Sequence, residues 1–112
     1  MATAFAYEAA RARDVGHLND VLLARATGAA RSTARAWLAG RTSPRGRYAD
    51  RLVELSAIVD RLARVVEPEY IPVWLTKPVE ALGDDKPIDL IKRGQYKAVA
   101  RIVSSLEDPG AV

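Results

Sequence analysis

Arginine is the residue type that this chain concentrates. Arg25, Arg31, Arg35, Arg41, Arg45, Arg47 and Arg51 fall within one stretch whose single acid is Asp50. A guanidinium stays charged at every physiological pH, and its planar fork of donors matches phosphate oxygens or the acceptor edge of guanine. Such a stretch is suited to a polyanion. Other chemistry finds little material. There is no cysteine, hence no disulfide and no thiolate metal site, which fits a reducing compartment. The lone histidine, His17, has no second His or Cys to share a metal with and is expected at the surface or at a helix start. The adjacent carboxylate pairs, Asp84-Asp85 and Glu107-Asp108, fall in a turn and a tail, and no glycine-rich loop cradles phosphate. The expectation is a binding protein, not an enzyme, with no cofactor and no metal.

The cations are unevenly placed. Residues 1–66 hold 11 arginines and 6 acids, net +5, whereas residues 67–112 hold 6 Lys or Arg and 8 acids, net −2; the total is +3 over 112 residues. That length suits one domain or two very small ones and buries about 65% of the unfolded surface. Apolar runs are too short for a membrane span and the start has no basic-then-apolar signal, so a cytoplasmic protein without membrane contact is expected.

The elements that must position the arginines centre on Leu23 to Gly40. Leu23, Ala24 and Ala26 give one short helix an apolar side, and Gly28 supplies a residue that enters the left-handed region at no steric cost. Ala34, Trp37 and Leu38 recur three and four apart on a second helix. This spacing predicts a helix-turn-helix whose second helix lies in a DNA major groove with Arg31, Ser32 and Arg35 facing base edges. Arg41, Arg45 and Arg47, in the Gly/Ser/Pro-rich loop after it, are the candidates for phosphates; a merely solvated cationic face is the other reading of these arginines. Trp37 reads as core.

Around this motif the chain is all-α in expectation. Ala2 to Val15 reads as a first helix. Leu18 to Ala26 carries Leu18, Val21, Leu22 and Ala26 on one face, capped by Asn19 or Asp20. Arg47 to about Val66 reads as a long helix burying Tyr48, Leu52, Leu55, Val59, Leu62 and Val66. Pro68 ends it at Glu67 and sets the boundary between a region 1–66 and a second module 67–112. Glu69 to Gly83 is broken by proline into two short helices, and Asp84-Asp85-Lys86 forms a charged turn. Pro87 starts a helix that Gly94 closes, and Gln95 to about Leu106 puts Val99, Ile102, Val103 and Leu106 on one stripe.

Resemblance adds to this reading. Leu23-Ala24, Gly28, Trp37 and Gly40 resemble the Xre-type repressor motif, with two departures: Ala30 stands where such motifs place a Ser N-cap, and Ala34 where they place Ile or Val. The later residues Trp74-Leu75, Pro78, Leu82-Gly83, Pro87, Leu90-Ile91, Gly94, Val99, Val103, Leu106 and Gly110 resemble, in order and spacing, the toxin-binding domain of the Xre/MbcA/ParS antitoxin family. Together the two matches cover about residues 18–112. The charged turn before Pro87 departs from the smaller, glycine-bearing turn of that family.

The resemblance implies an antitoxin of a type II system that binds and neutralises a RES-domain toxin, an enzyme that destroys NAD, and that regulates its own operon by binding operator DNA. It implies a toxin-facing set of Trp74, Tyr96, Arg101, Ser105, Leu106, Glu107, Asp108, Pro109, Gly110, Ala111 and Val112. Core packing remains the other role open to Trp74 and Tyr96. An acidic tail suits a cationic dinucleotide pocket, so residues 107–112 are candidates to enter the toxin's active site; a disordered terminus is the other reading of this segment. Reading a palindrome needs two related helices, so a homodimer and a larger toxin-antitoxin assembly are expected. The competing reading is a stand-alone helix-turn-helix regulator with no toxin partner. A third is a protein inhibitor whose helix-turn-helix no longer binds DNA.

Overall fold

Local chemistry sets the ends of most elements in the computed structural model, which describes residues 4–108 and residue 110. Helix α1 spans Ala4–Gly16, α2 Asp20–Thr27, α3 Arg31–Leu38 and α4 Gly46–Leu62. After a 3-10 turn at Pro68–Tyr70 come α5, Ile71–Thr76, and a second 3-10 turn at Glu80–Leu82; α6, Pro87–Lys92, and α7, Tyr96–Glu107, complete the fold. The fold is all-α. The described residues include no strand, and an isolated bridge between Val79 and Asp85 closes the turn before α6.

Asn19 caps α2, its side chain accepting from the Leu22 amide at 3.0 Å. Gly28 ends that helix at φ +84°, with its N–H donated to the Ala24 carbonyl. Pro87 occupies the first turn of α6, where its missing N–H has no helical partner to lose. Glu67 is extended ahead of Pro68, as the proline ring requires. The charged turn resolves into a left-handed Asp84, which Asp tolerates better than most residues; the Asp84 amide donates to the Val79 carbonyl at 3.0 Å.

Helix α4 is the central element. Leu52, Leu55, Ile58, Val59 and Leu62 are buried on it, and it packs against α1, α2, α6 and α7. The resulting core runs without a break from Ala9 on α1 through Trp37 to Ile88, Ile91, Val99 and Val103. Several predicted stripes turn out rotated or shorter. On α2 the buried side is Leu23, Ala24, Ala26 and Thr27, while Val21 is 45% exposed, because α2 is covered by α3, α4 and α6 and not by one neighbour. On α4 Tyr48 lies outside the core at 39% exposure, and the helix ends at Leu62, the chain passing through turns from Ala63 to Val66. On α7 Val99 and Val103 are buried but Leu106, in the last turn, is 40% exposed.

Candidate functional site

Helix α3 carries the first group of candidate residues. Its first residue follows Ala30, which has no side chain able to cap it, so the helix start is held from outside. Asp20, in the first turn of α2, does this: one carboxylate oxygen accepts from Nε of Arg31 and from Nε of Arg35, each at 2.7 Å. These bonds, Arg31 first and Arg35 next, pull the Asp20 carboxyl down to about 2, so it is ionised throughout the physiological range. Ser32 is exposed on the same helix, and Ala34 is fully buried against α2 and its neighbours.

The loop after α3 folds over Trp37. That ring is 3% exposed and lies 5.9 Å from the Tyr48 ring, and Pro44 is buried beside it. Arg41, Arg45 and Arg47 all project from this loop and the start of α4 as exposed side chains. Arg45 borders a cleft shared with Thr33, Trp37, Thr42 and Tyr48, whereas Arg47 borders a separate hollow with Thr27, Gly28, Tyr48 and Lys92. Lys92 is a cation that sequence reasoning misses. It comes from the end of α6, and its Cε would lie 3.7 Å from a side chain placed on Gly28. Nothing in the order of residues along the chain signals this approach, which depends on the packing of α2 against α6. Asp20 escapes sequence reasoning in the same way as the partner of Arg31 and Arg35.

Arg25, at the start of the arginine stretch, turns inward toward the second half. Its Nε and Nη2 donate to the two carboxylate oxygens of Asp89 on α6, both at 2.9 Å. His17 is exposed in the connection after α1, with φ +56°.

Helix α7 carries most of the second group of candidate residues. Trp74 and Tyr96 are half-buried and pack against the core, whereas Arg101, Ser105, Leu106 and Asp108 are exposed. Glu107 is held: Arg61 Nε on α4 lies 3.1 Å from both of its carboxylate oxygens, and Arg61 Nη2 donates to Ser104 Oγ at 2.9 Å. The guanidinium keeps the Glu107 carboxyl below its usual range. This fixes where the chain leaves α7. Gly110 is exposed, and Pro109, Ala111 and Val112 lie outside the described residues. No group of three His, Cys, Asp or Glu side chains suited to a metal occurs among the described residues, and no helix there is long and apolar enough to cross a membrane.

Comparison with known proteins agrees with this architecture. No family model matches the sequence. The mycobacterial cidal antitoxin MbcA of Mycobacterium tuberculosis and that of Mycobacterium bovis are each 35% identical to it over 78 residues, 70% of this chain and 68% of theirs. A chain in the crystal structure of the M. tuberculosis MbcT-MbcA toxin-antitoxin complex matches the fold with a TM-score of 0.84 at 25% identity, over 98% of this chain and 99% of that one. Alike in sequence across two thirds of either length and alike in fold nearly end to end, the chain belongs to the MbcA family of antitoxins.

Proposed function

We propose that this chain neutralises a RES-domain toxin that degrades NAD, with α7 and the residues after it covering the toxin's active site, and that its α3 face binds the operator of its own operon. The observation that carries the toxin half is the likeness, over nearly the whole chain, to the fold found in the MbcT-MbcA complex. The geometry of α7 supports it. Arg101, Ser105 and Leu106 stand exposed, so that a cationic and an apolar side chain are left uncovered by the protein's own core. Arg61 anchors the last turn of α7 through Ser104 and Glu107, so that turn loses less entropy on docking than a frayed one would. With Glu107 engaged by Arg61, the anionic side chain left for a cationic dinucleotide pocket is the exposed Asp108.

The DNA half rests on the helix-turn-helix geometry and on the exposed cations Arg31, Arg35, Arg41, Arg45 and Arg47. Arg31, Ser32 and Arg35 take the base edges, and the loop arginines, joined by Lys92, take phosphates. Two copies related by a two-fold axis present two such helices to a palindrome. The division of labour is therefore residues 1–66 for DNA and 67–112 for toxin, joined through α4.

The test titrates the co-encoded toxin with the full chain and with a chain ending at Asp108, following NAD loss. The full chain stops the reaction; the shortened one needs about ten-fold more protein, a loss near 1.4 kcal/mol. Equal potency of the two removes the tail from the inhibitory contact.

A further inference from the structure

Arg31 and Arg35 do not stand free on α3. Both Nε atoms donate to the same oxygen of Asp20, and Asp20 is the sheltered member of the trio, its side chain 17% exposed against 57% and 56% for the arginines. A hydrogen bond at Nε fixes the plane of a guanidinium and leaves its terminal nitrogens, the Nη edge, unused. The two forks are thereby aimed outward from a common rigid point. Four residues apart on a helix, they are separated by about 6 Å along its axis, close to two base steps.

Two roles for this carboxylate make opposite demands. If α3 served only to attract phosphates, an anion between two of its cations would weaken it, since each neutralised charge lowers non-specific affinity and its salt dependence. If α3 reads base edges, orientation of the forks matters more than charge, because a guanidinium recognises guanine O6 and N7 through two parallel bonds. An open cleft of about 530 Å³, lined in part by Arg13, His17, Asp20, Arg35 and Leu38, adjoins the trio. An Arg35 side chain without its tether has room to turn into it.

We propose that Asp20 is a specificity-determining positioning residue, which aims Arg31 and Arg35 at paired guanines and restrains the chain from binding DNA indiscriminately. This rests on the operator-binding reading above. Asp20 exchanges general polyanion affinity for discrimination, and it does so from α2, outside the helix that makes the contacts.

The test uses the full chain and a duplex from immediately upstream of its own gene, prepared with guanine or with 7-deazaguanine, which lacks the N7 acceptor, and a scrambled duplex of equal length. The wild-type chain binds the deaza duplex about ten-fold or more weakly than the natural one. Asp20→Asn, which keeps the side-chain shape, binds the scrambled duplex more tightly, with a steeper salt dependence, and loses most of the deaza discrimination. Arg31→Lys with Arg35→Lys keeps both charges but loses the discrimination as well. Circular dichroism and melting establish that each variant is folded. Undiminished discrimination in Asp20→Asn overturns the proposal, and so does an equal loss of affinity for all three duplexes, which marks a merely structural tie. Binding by the wild type that ignores the deaza substitution overturns it while leaving DNA binding intact. Failure of the wild type to retain any duplex at low salt overturns the DNA-binding reading itself, and this inference with it.

Discussion

Arg25 on α2 and Asp89 on α6 join the two halves of the chain through two parallel bonds of 2.9 Å, in a position where the side chains are 36% and 29% exposed. The Arg25 bond, foremost among its causes, depresses the Asp89 carboxyl below its ordinary 3.8. A carboxyl whose folded value is depressed stabilises the fold above its unfolded value, and this contribution is lost as pH falls through the folded one. Asp89→Asn is therefore expected to lower stability at pH 7 by about 1 kcal/mol, the scale of a bidentate pair of this exposure. The gap from wild type should close below pH 3.8 and vanish once the native carboxyl is protonated, a trend read by urea denaturation across pH. A constant gap at all pH values would show that Asp89 acts through packing alone. At this scale the sequence is informative about type and silent about pairing. Arg31, Ser32 and Arg35 fall on an exposed helical face because helical spacing alone decides it. Which acid meets which arginine depends on helices that are distant in sequence: Arg25 and Asp89 lie 64 residues apart, Arg61 and Glu107 46.

Among the elements, the turn between α6 and α7 determines how the candidate toxin-facing helix is set on α4. Gly94 takes φ +81° there, and a Cβ on it would lie 2.7 Å from Nη2 of Arg51, whose Nε is already buried without a partner among the described residues. The Arg51 end can shift, so the left-handed backbone dominates the cost. Gly94→Ala should destabilise the chain by about 1–2 kcal/mol, and Gly94→Asn by less, since Asn enters this region more readily. Melting curves of the two variants check the order, and an unchanged Gly94→Ala would refute it. Element ends such as Asn19, Gly28, Pro87 and Gly94 are legible because each is settled by its own local chemistry. The faces of α2 and α7 are less so. A short amphipathic helix offers several near-equal stripes, and only its neighbours select one; Val21 and Leu106 sit on the periodic apolar stripes and are nonetheless exposed.

For the whole molecule, the two halves of the chain, net +5 and net −2, share one core that α4 carries through the middle. The compositional shift at Pro68 is readable, and so is the all-α class. The continuity of the core beneath it is not, because Leu52, Leu55 and Leu62 look the same in sequence whether they face one module or two. The arrangement puts α3, with Arg31 and Arg35, and the outer side of α7, with Arg101 and Leu106, on separate elements: the arginines of α3 are tethered to α2 through Asp20, whereas α7 is tied to α4 through Arg61. The central claim, that the exposed side of α7 is the toxin-binding surface and acts apart from the arginine face, is tested most directly by isothermal titration of the co-encoded toxin with the full chain and with an Arg101→Glu, Leu106→Asp variant. The account predicts that the variant, with native helicity and unchanged retention of duplex DNA, binds toxin about ten-fold or more weakly; toxin affinity equal to that of the unaltered chain would contradict it.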